Sequence, residues 1–248
     1  YFQKIRKEIP KKINFSYLKK KNSPTIIKKR FLDNIGNKKV LGVYNINDSN
    51  LGKSDEIKFK KYLLKNLKKF DLVIVSDYGH GFISENNAKI ICNEAKSLAL
   101  NAQVNAANVG YHSMRKYNKI DCVIINETEI RHELRKKNEK IEDLMKQLSK
   151  ERKIKNLIVT QGRKGSILFN KADNKFNYSP AFAENDVDKI GAGDAMLSLI
   201  SLCIKNKLDS NLSMLLGSLA AAQSVQTIGN KNNIDKIQIL KSLDNLIK

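Results

Sequence analysis

The chain has 248 residues, 41% hydrophobic and 29% charged, and its 46 Lys and Arg against 25 Asp and Glu give a formal net charge of +21. That length and composition suit a globular chain with one large core, or two small ones, and exclude a disordered or fibrous one. No stretch approaches 18 consecutive apolar residues, so no transmembrane helix is expected, and the basic N-terminal stretch lacks the apolar core and cleavage site of a secretory signal.

The positive charge is mostly lysine spread along the whole chain, with no sustained block beyond Lys11-Lys12 and Lys19-Lys20-Lys21. Arginine is scarce and no aromatic ladder accompanies it, which argues against a nucleic-acid partner. Cys92, Cys122 and Cys203 are odd in number, far apart and without a Cys-x-x-Cys. They fit the reduced cytoplasm rather than a disulfide framework or a zinc site. His80, His112 and His132 have no ligand spacing and read as surface or packing residues. The first residue is Tyr1 rather than Met, which suggests an internal start.

In chain order, the first strand candidate is Val40 to Ile46, which suits a small separate sheet. Asp71 to Val75 is a continuous apolar run ending in Ser76-Asp77-Tyr78-Gly79, a buried strand leading into a loop. Ser84 resembles an N-cap for a helix that carries Ala88, Ile91, Cys92, Ala95 and Leu98 on one face. Short strands are expected near 102–105 and over 120–125, closing on Asn126, with helices over about 128–135 and 140–150 and a strand over 156–160. This strand–helix alternation implies right-handed crossovers and a mostly parallel sheet with helices on both faces. Gly162 to Gly165 is a glycine-bounded turn into a hairpin of Ser166–Phe169 and Phe176–Tyr178. Three helices close the chain, over about 192–206, 211–228 and 234–247.

The most informative residues are Asp188-Lys189-Ile190-Gly191-Ala192-Gly193-Asp194, followed by helix formers with apolar residues at helical spacing. A glycine turn opening into a helix presents free N–H groups at its positive end, a site for phosphate or oxyanion charge. Asp194 in the first turn is placed to take a proton from a substrate hydroxyl. Together they suit phosphoryl transfer to an alcohol. The tetrapeptide alone is equally compatible with a structural turn. Asp77, Asn126 and Thr160 each fall just after a predicted strand, and ligands of open parallel sheets sit at the carboxyl ends of the strands.

With these motifs in order, the chain resembles the ribokinase-like (PfkB) carbohydrate kinases over roughly residues 24–247. Asp188-x-x-Gly191-Ala192-Gly193-Asp194 matches the family's C-terminal signature, Asn126-Glu127-Thr128-Glu129 its Asn-x-x-Glu element, and Thr160 to Gly165 its ATP-lining segment. The resemblance implies a three-layer α/β/α fold with a mostly parallel central sheet and a small β lid, its first strand or strands missing. Residues 1–248 would form one kinase domain lacking its N-terminal part, with 24–46 as lid or substrate segment and 71–248 as the core holding the nucleotide site.

It further implies ATP and Mg²⁺ as cofactors. Asp194 would be the catalytic base, and Gly191, Ala192 and Gly193 the anion hole. Asn126, Glu129, Thr160, Gly162, Gly165 and Asp188 would bind the nucleotide, Glu129 reaching Mg²⁺ through water. Pro24 to Arg30 and Ser76 to Gly81 are similar to the heptose-phosphate kinase branch, which points to Lys28, Arg30, Asp77 and Tyr78 as ligands of a sugar or sugar phosphate. Lys28 and Arg30 suit a solvated basic strand edge equally well. The chain departs from the branch at Lys189, where Thr is usual, at His80, where Lys is usual, and over 104–108. The partners this implies are a homodimer mate and a fused or associated nucleotidyltransferase domain, with no membrane. The competing expectations are a kinase-fold half that binds nucleotide or sugar without catalysis and, less favoured, a basic nucleic-acid-binding protein.

Overall fold

The computed structural model describes residues 2–33, 39–104, 108, 112–183, 191–226 and 233–247. Eight strands and eight helices lie within them. Helix α1 is Phe2–Glu8; strands β1 (Ile27–Leu32) and β2 (Lys39–Asn45) form a separate antiparallel pair, Lys28 opposite Tyr44 and Arg30 opposite Gly42. Helix α2 (Lys53–Asn66) leads to β3 (Val73–Asp77), α3 (Glu85–Glu94), β4 (Leu98–Ala102), β5 (Cys122–Asn126), α4 (Glu127–Leu134), α5 (Ile141–Arg152) and β6 (Asn156–Thr160). The hairpin β7 (Ser166–Asn170) and β8 (Lys175–Ser179) follows, then α6 (Ala192–Lys205), α7 (Ser210–Val225) and α8 (Lys236–Ile247).

The main sheet has the order β3-β4-β5-β6-β7-β8, parallel from β3 to β6 and antiparallel through the hairpin. Alternation along the strands divides the core in two. Leu98, Leu100, Val123, Ile125, Leu157 and Val159 face the layer holding α3, α4 and α5. Ala99, Cys122, Ile124 and Ile158 face Met196, Leu197 and Ile200 of α6 and Met214 of α7. Strands buried on both faces read as unbroken apolar runs, which is why β5 and β6 stand out in the sequence. The three-layer α/β/α arrangement with a two-stranded lid is the fold expected from the sequence.

Three boundaries differ from expectation. Strand β3 covers Val73–Asp77 rather than 71–75, so Ser76 and Asp77 close the strand instead of opening the loop. The helix begun at Ser84, whose side chain accepts from Asn87 N at 3.2 Å, stops at Glu94, and Ala95 is extended. Leu98, at helical spacing from Ile91 and Ala95, instead starts β4, which lies at 98–102 and not 102–105. A place between β3 and β5, buried at every residue, overrides the helical preference of Leu-Ala-Leu. Helix α2 went unrecognised because it buries little: of its residues only Asp55 and Leu63 are fully buried. Among the described residues no helix is long and apolar enough to cross a membrane.

Candidate active site

The carboxyl ends of the parallel strands form one edge, with Asp77 in register with Ala102 and Asn126 with Thr160. The first turn of α6 opens onto that edge beside a cavity of about 630 Å³. Strand β1 contributes Lys28 and Arg30 to its lining, and Phe182, Ala221 and Ala222 supply an apolar wall.

Gly191 is the N-cap of α6 with φ 90°, a left-handed conformation that glycine adopts without steric cost. Gly191 has no side chain to cap that turn, and among the described residues the amides from Ala192 to Asp194 are left for a ligand, with the helix dipole behind them. Asp194, third in the helix, accepts hydrogen bonds from the ends of two strands. Ser76 Oγ donates to Oδ1 at 3.1 Å, Tyr78 OH to Oδ2 at 3.3 Å, and Gln103 Nε2 lies 3.2 and 3.4 Å from the two oxygens. Burial, and then the charge of Asp194, push the Tyr78 phenol above its ordinary pKa, so its hydroxyl stays a neutral donor.

Asn126 and Glu129 form a reciprocal cap at the start of α4. Asn126 Oδ1 accepts from Glu129 N at 2.8 Å, and Glu129 Oε2 accepts from Asn126 N at 2.9 Å. The second carboxylate oxygen accepts from Val104 N at 3.0 Å. Burial raises the Glu129 carboxyl above the usual range, against the opposing pull of those two amides. Its neighbour Glu127 is shifted the other way by hydrogen bonds from Gln161 and then Arg131, at 2.9 Å and 2.7 Å. Asn126, Glu129, Thr160 and Gly162 line both the main cavity and an adjoining one of about 540 Å³.

The loop after β6 brings Thr160, Gly162, Arg163 and Gly165 to the main cavity. Gly165 has φ 91°, and a methyl group there would collide with the carbonyl oxygen of Ser179. Lys28 Nζ lies 5.5 Å from the centre of the Tyr78 ring and 6.0 Å from that of Tyr44. Burial and then the nearby Arg30 lower the Lys28 pKa, and Tyr44 and Asp48 oppose the shift. An anion between Lys28 and Arg30 would relieve the repulsion between them.

The cavity has room for a nucleotide and is lined by polar and apolar groups alike. Asn101 and Ser166 are among its lining residues, and their Oδ1 and Oγ are buried without a hydrogen-bond partner among the described residues. Among the described residues no group of three or more His, Cys, Asp or Glu side chains could cage a metal. Mg²⁺ in phosphoryl-transfer sites is held by one or two carboxylates, water and the substrate's phosphates. Glu129, at the junction of the two cavities, fits an ion held chiefly by phosphate.

The structure therefore gathers Asp194, Gly191, Ala192, Gly193, Asn126, Glu129, Thr160, Gly162, Gly165, Lys28, Arg30 and Tyr78 around one space. Asp188 lies outside the described residues. Asp77, expected among the substrate ligands, does not line this cavity. On β3, Val75 and Asp77 face the α3 side while Ser76 faces Asp194. Oδ2 of Asp77 is 2.7 Å from both Lys116 Nζ and Tyr117 OH, and Oδ1 accepts from Gly79 N at 3.0 Å. Burial alone would raise this carboxyl; Lys116, Tyr117 and Gly79 together hold it below the usual carboxylate range. Gln103, Ser76 and Asn101 went unrecognised. Correct placement of β4 would have exposed Asn101 and Gln103 as strand-end polar groups on the ligand edge.

Solved structures share this architecture. Ribokinase of Arabidopsis thaliana, complexed with ribose and ATP, superposes with a TM-score of 0.67 at 20% identity over 90% of this chain and 70% of that one. Ribokinase of Thermotoga maritima gives 0.68 at 18% identity over 90% and 70%. Phosphofructokinase-2 of Escherichia coli, in complex with potassium, gives 0.67 at 12% over 84% and 67%. The fold is ribokinase-like, and a glycine turn carrying a carboxylate opens beneath its two-stranded lid.

The chain belongs to the pfkB family carbohydrate kinases, whose sequence model matches residues 4–237. Bifunctional protein HldE of Campylobacter jejuni (strain RM1221) is 27% identical over 202 residues, 76% of this chain and 42% of the relative. The same-named protein of Campylobacter curvus is 30% identical over 168 residues, 66% of this chain and 35% of the relative. This chain thus spans less than half the length of these relatives.

Proposed function

We propose that this chain transfers the γ-phosphoryl group of ATP to a hydroxyl of a sugar phosphate of the heptose 7-phosphate type, with Asp194 as general base. One observation carries this: Asp194 and the uncapped amides of the same turn share a cavity with Lys28 and Arg30 of the lid. Asp194 takes the proton of the acceptor hydroxyl as that oxygen forms its bond to the γ-phosphorus, and the bond from phosphorus to the oxygen leaving with ADP breaks. The amides of Ala192, Gly193 and Asp194 receive the charge on the transferred group. Lys28 and Arg30 hold the phosphate that the acceptor already carries. Asn126, Glu129 and the loop from Thr160 to Gly165 orient the nucleotide phosphates. When bound, Mg²⁺ neutralises charge on those phosphates, with Glu129 as its water-mediated protein ligand.

Matches to relatives more than twice as long support action beside a second domain, a nucleotidyltransferase in the resemblance drawn from the sequence. Exposed Phe31, Leu41 and Val43 on the lid support a homodimer.

The test is ADP release by the full-length protein on a panel of hexose and heptose phosphates, with and without Mg²⁺. Asp194→Asn is expected to bind ATP normally and to turn over about 10²–10⁴-fold more slowly. Undiminished turnover in that variant overturns the assignment.

A further inference from the structure

Three donors converge on the Asp194 carboxylate, and they are not equivalent. Ser76 and Tyr78 present hydroxyls, which rotate, donate or accept, and yield to an incoming substrate hydroxyl. Gln103 presents an amide nitrogen, which only donates, and it lies within 3.4 Å of both carboxylate oxygens.

The backbone beneath Gln103 is held from two sides. Its N–H donates to the Asp77 carbonyl at 2.9 Å, which ties the end of β4 to the end of β3. Its carbonyl accepts from Asn108 Nδ2 at 3.0 Å, and the same nitrogen donates to the Tyr78 carbonyl at 2.9 Å. Asn108 is 2% exposed, so this bridge is shielded from water. One buried amide thus joins the backbones of two residues whose side chains reach Asp194. A donor mounted this way loses little further freedom when it acts.

We propose that Gln103 is a positioning residue for phosphoryl transfer: its amide fixes the rotation of the Asp194 carboxylate, leaving one oxygen lone pair aimed at the acceptor hydroxyl. This rests on Asp194 being the base. Gln103 lines the same cavity as Asp194, and the role assigned to it runs through the carboxylate that its amide holds. Without it, the carboxylate is held by two hydroxyls that the substrate itself competes for.

The experiment compares Gln103→Met, Gln103→Glu and the double variant Gln103→Met/Asp194→Asn in the full-length protein. The assay is steady-state ADP release with the sugar phosphate that the wild type turns over best. Gln103→Met keeps the side-chain volume and is expected to lower kcat about 10- to 100-fold, the range for losing a hydrogen bond to a charged group. KM for ATP and the melting temperature stay unchanged. Gln103→Glu, which places an acceptor where a donor is needed, falls further. In the Asp194→Asn background, Gln103→Met has no added effect, because the two residues act as one unit.

A Gln103→Met enzyme with wild-type kcat, or a loss confined to KM and melting temperature, overturns the inference. So does a loss that multiplies fully with that of Asp194→Asn. If Asp194→Asn itself keeps turnover, or the wild type turns over no sugar phosphate of the panel, the reading of the site fails first, and the inference falls with it.

Discussion

The Lys116 ammonium lies 2.7 Å from Oδ2 of Asp77, and the two side chains are only 15% and 5% exposed. The pair sits under the loop that carries Tyr78 and braces it from the side away from the cavity. Lys116 Nζ also donates to the Ile83 carbonyl at 2.6 Å. Lys116→Met removes one partner and leaves a buried carboxylate uncompensated, an expected loss of about 3–5 kcal/mol. Urea unfolding monitored by circular dichroism measures it, and a loss under 1 kcal/mol refutes the buried pair.

The same pair sets a pH dependence. The folded-state pKa of Asp77 lies below its unfolded value. Its contribution is therefore complete above about pH 4, the ordinary Asp range, and is lost as pH falls through the folded value. Glu129 has the opposite sign: its raised folded value makes its contribution greatest in acid and lost as pH rises through that value. Asp77→Asn is expected to be less stable at pH 7 and to show a flatter acid-side decline than wild type. Parallel acid-side slopes in urea titrations of the two proteins count against this.

Gly165 separates a turn role from a nucleotide role. With φ 91° and the Ser179 carbonyl oxygen in the path of any β-carbon, Gly165→Ala strains the turn between β6 and β7. A residue forced into such a conformation costs about 1–3 kcal/mol. Thermal unfolding is expected at lower temperature, and KM for ATP rises only if the loop moves. An unchanged melting temperature shows the turn can relax.

The lid is tied down by a short segment after β2. His80 Nδ1 lies 2.7 Å from Asp48 Oδ1, Lys20 Nζ donates to the Asn47 carbonyl at 2.7 Å, and Leu51 N donates to the Gly81 carbonyl at 3.2 Å. Asp48 is half exposed. Asp48→Asn weakens one tie of about 0.2–1 kcal/mol. The expected outcome is a KM for the sugar phosphate about two- to five-fold higher at constant kcat. A changed kcat at constant KM contradicts the lid's role in holding substrate.

Glu129→Ala removes the acceptor for Asn126 N, one half of the reciprocal cap on α4, and the acceptor for Val104 N, while Asn126 Oδ1 still caps the backbone N–H of residue 129. Leaving a buried donor without its acceptor costs about 1–3 kcal/mol. The Mg²⁺ concentration for half-maximal turnover is expected to rise as well. An unmoved Mg²⁺ titration, with stability reduced, assigns Glu129 to structure alone.

Much of this molecule is legible in short stretches of chain. Strands β5 and β6 announce themselves as apolar runs, because both of their faces are covered. Gly191 to Asp194 announces itself because a left-handed residue, open amides and a first-turn carboxylate are all local properties. Ser84 and Asn126 cap the helices that follow them for the same reason. Helix α2 does not show, since a helix that buries two residues carries little periodicity. Strand β4 is masked by Leu-Ala-Leu, which suits a helix until the sheet claims it.

Long-range placement decided what remained. Local chemistry marks Asp77, Tyr78 and Asp194 alike as polar groups on a ligand-bearing edge. Only the packed sheet turns Asp77 away toward Lys116 and Tyr117 and leaves Ser76 and Tyr78 on the side of α6. Gln103 meets Asp194 across 91 residues of sequence. A pattern within one segment can report its own turn and its own buried face, but not which neighbour the pleat of a strand will present to a helix that arrives so much later in the chain.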